Sequence, residues 1–339
     1  MHWLAASKAR NPPAMVLRLL YVAQAENVQA FERRADGTLE HLFDTPFPDA
    51  GNIAAFSLSP DQRVLTLGTQ DELISCTIDA ATGRLQPVSS CAHAVEDDAL
   101  AYLSTDKTGR WLFSVFYTGG YAAVHPLQAD GTLANGAAPS CLLKLTQGSH
   151  CIVADPHNQS VYVPEVAAIN HMEGSRIHLF DFDASSGSLH PKANPVVVPP
   201  PCAADIRLGP AIDPETRFTE ALWDDGKLCG PRNRFNSRCE PGPRHICFHP
   251  AAESGSLYAS NEQGNSVTHY RAADSTLRDV STVESVPTTY PGADVDLTAT
   301  HCSGGCSHLS EIHVHPSGST LYTSNRGCVV RNTRCPHVP

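Results

Sequence analysis

Polar residues able to grip an anion and to move a proton recur at one phase of this sequence. Arg244 and Arg326 each carry a planar fork that fits a carboxylate or phosphate. Glu165, Glu262 and Glu311, with His150, supply carboxylates and an imidazole for general acid or base work near neutral pH. Taken singly, each reads better as an ordinary exposed residue at a strand end. Their shared position in a repeat is what makes them a candidate site.

That repeat consists of an apolar strand, a polar turn, an alternating strand and a glycine-type turn. Copies begin at residues 20, 65, 112, 161 and 257, as in LTLGTQDELISCTIDAATGRL and LYASNEQGNSVTHYRAADSTL, and a sixth opens as LYTSNRG at 321. Most are preceded by a further short strand and turn, such as FSLSPDQRV, YLSTDKTGRW and IHVHPSGSTL. The first three intervals are 45, 47 and 49 residues. Four short strands per ~45 residues is the signature of β-propeller blades. The expected fold class is therefore all-β, a propeller of five complete units and a partial sixth.

In a blade, the innermost strand and the next run antiparallel, so the start of one meets the end of the other on one rim. His150, Arg244 and Glu311 stand at or near inner-strand starts; Glu165, Glu262 and Arg326 stand at second-strand ends. The longer intervals contain insertions at 196–243 and 284–309, which enter at inner-strand starts and are expected to overhang the same rim. Residues 1–15 read as a disordered leader, 16–327 as a single propeller domain, and 328–339 as an atypical tail.

Composition narrows the classes. Hydrophobic residues are 41% and charged residues 17%, which describes a globular chain and not a disordered one. The net charge of −11 and the lack of a basic stripe argue against nucleic acid as a partner. The apolar stretch from Met15 to Val22 is broken by Arg18 and too short to span a bilayer, so no membrane partner is expected. Twelve irregularly spaced cysteines include no C-x-x-C pair, and Cys76, Cys151 and Cys247 sit in apolar strand-like runs as small hydrophobes. The cluster His301, Cys302, Cys306 and His308 lies among glycines and serines and reads as a flexible loop, so neither metal nor cofactor is expected. Reduced thiols suit a cytoplasmic protein.

The segments GSHCIVADPHNQSVYVPEV, GPRHICFHPAAESGSLYASNEQGNSV and SEIHVHPSGSTLYTSNRG resemble the seven-bladed propeller lactonases. That group includes propeller-type 6-phosphogluconolactonases and fungal carboxy-cis,cis-muconate cyclases. By motif, the resemblance implies catalytic roles for His150, Arg244, Glu262 and Arg326, with no obligatory metal. Glu165, His245 and Glu311 are expected to bind substrate. The implied activity is hydrolysis of a sugar-acid lactone related to 6-phosphogluconolactone, by water attack assisted by a general base. A carboxymuconate-type cycloisomerase and a non-catalytic binding or scaffold propeller are the alternatives. The implied partner is a small anionic lactone or carboxylate. One departure stands out: after Gly327 the chain lacks about one and a half repeats of the family pattern, so truncation is expected to leave the last one to two blades incomplete.

Overall fold

A computed structural model of the chain describes residues 2–5, 19–34, 36, 38–166, 176–192, 196–197, 222–224, 227–229, 243–262, 266–273, 276–277, 307–327, 329–330 and 333–334. The insertions at 196–243 and 284–309 lie almost wholly outside these residues, as do His301, Cys302 and Cys306.

The repeat builds antiparallel sheets in which sequence neighbours pair. Leu19–Gln24, Asn27–Arg33 and Leu39–Pro46 form the first sheet, with His2–Ala5 added beside Leu19–Gln24 in the innermost position. Four of the fifteen residues expected as a leader thus supply the strand that the first repeat otherwise lacks. The second sheet is Ala55–Leu58, Val64–Gly68, Glu72–Ile78 and Leu85–Ala92. The third is Leu100–Thr105, Trp111–Phe116, Tyr121–Pro126 and Cys141–Lys144. The fourth follows the order Val153–Ala154, Ser160–Glu165, Arg176–Asp183 and Ser188–Pro191, with Val196–Val197 also paired to Arg176–Asp183. The fifth is Pro243–Phe248, Ser256–Asn261, Ser266–Ala273 and Thr276–Leu277. Only two strands, Ser307–Val314 and Leu321–Gly327, make the sixth among the described residues. Leu222–Asp224 also pairs with Lys227–Cys229 and Val329–Val330 with Thr333–Arg334, and the only helical turn among the described residues is Ala252–Ser254.

The chain divides into two compact units, Met1–Tyr162 with Phe180–Pro191, and Val163–Leu179 with Lys192–Pro339. In the first, the burial pattern shows why the second strand of each copy is the most apolar. Val64–Gly68 and Trp111–Phe116 are buried along their whole length, because both faces of the sheet are covered. Leu39–Pro46, an outer strand, is mostly exposed. One apolar cluster joins the first and second sheets through Tyr21, Val28, Leu65 and Cys76; another joins the second and third through Leu73, Leu103, Leu112 and Phe116.

Hydrogen bonds between successive sheets give the sequence period its physical content. Ser57 and Thr105 meet at 2.8 Å, Thr105 Oγ1 donates to Leu58 O at 3.2 Å, and Ser104 Oγ donates to Ile152 O at 2.5 Å. Lys107 N donates to Asn158 Oδ1 at 3.0 Å, and Asn158 Nδ2 donates to the buried Asp106 at 2.9 Å. These pairs are 47 to 52 residues apart, one repeat each. Within a turn, Asp106 Oδ1 also accepts from Arg110 N and Trp111 N, and Asp155 accepts from Gln159 N and Ser160 N. Asp106 and Asp155 are structural, closing their hairpins by accepting otherwise orphaned N–H groups.

The described cysteines, Cys76, Cys91, Cys141, Cys151 and Cys247, form no disulfides. Burial pushes the thiols of Cys76 and Cys247 up to about 12 and that of Cys91 up to about 11, as for small apolar side chains. Among the described residues no helix is long and apolar enough to cross a membrane.

Candidate active site

The second unit holds a connected set of charged side chains. Arg244 lies one residue into Pro243–Phe248, and Glu262 directly follows Ser256–Asn261, the antiparallel neighbour. The start of one strand and the end of the next therefore meet, and Arg244 Nε lies 3.0 Å from Glu262 Oε2. Glu262 keeps 18% of its side chain exposed, while Arg244 is buried. Part of the Glu262 side chain is open to solvent; the guanidinium supports it from inside.

Two bulges shape this corner. Pro243 pairs with Asn261 and His245 with Ser260, so Arg244 is the extra residue with no opposite partner in the ladder. In the sixth sheet, Leu309 pairs with Asn325 and Ile312 with Thr323, leaving Ser310 and Glu311 against Ser324. A bulge re-aims side chains that regular alternation would send to opposite faces. Here it lets Arg244 and His245 touch, and it brings Ser310 and Glu311 to them.

The resulting contacts are specific. Arg244 Nη1 donates to Ser310 Oγ at 2.9 Å and lies 3.0 Å from His245 Nε2 and 3.5 Å from His245 Nδ1. His245 Nδ1 lies 2.9 Å from Glu311 Oε1, which also accepts from Ile312 N at 3.2 Å. Ser260 Oγ donates to Ser310 O at 2.8 Å and ties the two sheets together. His313 Nε2 approaches Glu311 Oε1 at 3.6 Å. Burial holds the His245 imidazole below its ordinary pKa, opposed by Glu311 and reinforced by Arg244, which favours the neutral ring.

A second carboxylate–imidazole pair lies in the same unit. Glu165, buried at the end of Ser160–Glu165, meets His178 Nε2 at 3.0 Å. His178 escaped the sequence reading because it sits inside the alternating strand Arg176–Asp183, where a histidine looks like any outward polar residue.

The remaining sequence candidates are placed as follows. His150 belongs to the first unit, where its ring meets Tyr117 edge to face at 5.4 Å between centroids. Arg326 lies on Leu321–Gly327 opposite His308, and its side chain is outside the described residues. His245 has 0% exposure and Glu311 5%, so both lie beneath the surface that Glu262 presents. Among the described residues no group of three or more potential metal ligands converges.

Repeated four-stranded antiparallel sheets of this kind are propeller blades, and comparison with known proteins agrees. Residues 23–203 and 221–333 match the family described as lactonase, 7-bladed beta-propeller, and the chain belongs to that family. A 6-phosphogluconolactonase of Pectobacterium carotovorum is 26% identical over 316 residues, covering 91% of this chain and 74% of the relative. One from Erwinia tasmaniensis is 24% identical over 315 residues, with 91% and 74% covered. In fold, the chain is similar to the periplasmic gluconolactonase of Pseudomonas aeruginosa, with a TM-score of 0.59 at 19% identity, covering 91% of this chain and 76% of that one.

Proposed function

We propose that this chain hydrolyses the lactone of an anionic sugar acid, 6-phosphogluconolactone or a close relative. The observation that carries the reading is the Arg244–Glu262 pair: a part-exposed carboxylate beside a buried, anchored guanidinium. Glu262 removes a proton from water as its oxygen attacks the lactone carbonyl carbon. The carbonyl π electrons move onto oxygen, and an arginine at the site stabilises that oxyanion. Collapse of the tetrahedral intermediate breaks the ring C–O bond, and the leaving alkoxide takes back the proton held by Glu262, giving the open hydroxy acid and restoring the carboxylate. Water is the only co-reactant.

Arg326 enters by its motif, as the second fork for oxyanion, phosphate or carboxylate. His150 also enters by motif, as the competing candidate for the base. His178, part-exposed and held at 3.0 Å by the buried Glu165, is the further group available to bind a substrate hydroxyl. Family membership and relatives named 6-phosphogluconolactonase support the reaction class; the individual roles rest on the residues above.

The test is hydrolysis of 6-phosphogluconolactone beside an uncharged gluconolactone by the purified chain. Turnover with preference for the phosphorylated substrate is the expected result. Absence of turnover on both, with a folded protein, would sink the proposal.

A further inference from the structure

We propose that His245 and Glu311 are positioning residues for Arg244: the Glu311 carboxylate locks the imidazole in one tautomer, and the imidazole and Ser310 then aim the guanidinium at Glu262. This rests on the reading of Arg244 and Glu262 as functional partners, and it replaces direct substrate contact as the role of His245 and Glu311.

An arginine side chain only donates, and a carboxylate only accepts. His245 faces both, with Nδ1 at 2.9 Å from Glu311 Oε1 and Nε2 at 3.0 Å from Arg244 Nη1. A neutral ring satisfies Glu311 in one way: Nδ1–H donates to the carboxylate, which leaves Nε2 bare. The opposite tautomer would set a lone pair against a carboxylate. Arg244 Nη1, 3.0 Å from Nε2 and 3.5 Å from Nδ1, lies against the part of the ring that holds both nitrogens, so a doubly protonated ring would set a second positive charge against the guanidinium. The charged or titratable groups acting on the ring are Arg244 from its own strand and Glu311 and His313 from the sixth sheet. A histidine with no exposed surface, placed between a guanidinium and a carboxylate, has no route to substrate but does fix what it touches. The same logic orients metal-binding histidines through a carboxylate behind them.

Nitrogen NMR of the chain labelled on histidine nitrogens tests this without reference to catalysis. His245, identified by the signal lost in His245→Asn, should show Nδ1 protonated and Nε2 bare at neutral pH. An Nε2-protonated ring, or a doubly protonated one, at that pH would overturn the inference. Glu311→Gln can donate as well as accept, so it should release the lock and let both tautomers appear. A single unchanged tautomer in that variant counts against the role of Glu311.

Kinetics supply the second readout. His245→Gln places an amide oxygen near the Nε2 position and should retain more activity than His245→Asn, which reaches only the Nδ1 position. The Asn variant should lose on the order of 10–100-fold in kcat/KM on an anionic lactone, and combining it with Arg244→Lys should add little further loss. Full additivity in that cycle, or equal activity for Asn and Gln, would reject positioning. If the native chain hydrolyses no lactone, the functional proposal fails, while the NMR result still decides the tautomer lock. If His245→Asn does not fold, Glu311→Gln and the native spectrum carry the test.

Discussion

Arg244 and Glu262, eighteen residues apart, form an ion pair at 3.0 Å because one opens a strand and the other follows the end of its antiparallel neighbour. The carboxylate is the more exposed partner, which gives the pair a working side and a supporting side. Substitutions on the two sides should therefore fail differently.

Glu262→Gln preserves shape and most hydrogen bonding but cannot take a proton from water. Turnover should fall by ~10²–10⁴-fold, the range for removal of a general base, with KM changing much less. Steady-state kinetics checks this. If His150→Asn proves far more damaging than Glu262→Gln, the base is the histidine.

Arg244→Lys keeps the charge and loses the fork. Ser310, His245 and Glu262 together engage two different guanidinium nitrogens, which a single ammonium cannot reproduce. The variant should raise KM for a phosphorylated lactone more than for an uncharged one. Equal effects on both substrates would remove substrate charge from the role of Arg244.

Gly83 and Gly136 offer a matched pair for stability. Both have left-handed φ, +72° and +65°, but a Cβ at Gly83 would stand 2.0 Å from Leu19 Cδ1 while one at Gly136 meets nothing within 4 Å. Gly136→Ala should cost only the backbone strain, about 1–2 kcal/mol. Gly83→Ala should cost more, because Leu19 must shift and the Tyr21 hydroxyl bond to Gly83 O lies at the same turn. Thermal unfolding of the two variants gives the comparison; equal losses would show that Leu19 yields freely.

Acid should undo the Asp183 turn late. The carboxylate accepts from Ser185 Oγ, Ser186 Oγ and Ser185 N, which pulls its pKa down to about 2. A depressed native pKa means the stabilisation is complete above the unfolded value, about 3.9, and disappears as pH falls through about 2. The stability difference between native and Asp183→Asn should thus be constant from pH 7 to 5 and vanish near pH 2. Loss of the difference already at pH 5 would contradict the assignment.

Blade number and strand order were legible because the repeat dictates them: each copy pairs with itself before anything else. The Arg244–Glu262 meeting was legible for the same reason, since phase in the repeat decides which strand ends adjoin. The bulges at Arg244 and at Ser310–Glu311 were not, because nothing in P-R-H-I or S-E-I-H breaks the alternation that a regular strand would show. That is why His245 and Glu311 looked like substrate ligands from sequence and lie buried in the structure. His2–Ala5 escaped for another reason: four residues separated from their partner strand by an unpatterned stretch carry no periodic signal.

The one-repeat span of the bonds between successive sheets in the first unit bears on how that unit assembles. Hairpins within a sheet close over short loops, on a timescale of about 1–10 μs. Docking one sheet on the next, as in Ser57 with Thr105 or Ser104 with Ile152, closes about 48 residues each time. Loop-closure entropy rises only logarithmically with length, so these steps carry nearly equal costs and no distant contact has to form early. We expect sheets to acquire protection as hairpins first and then by pairwise docking of neighbours. Pulse-labelled hydrogen exchange would expose the alternative, in which all sheets become protected in one step.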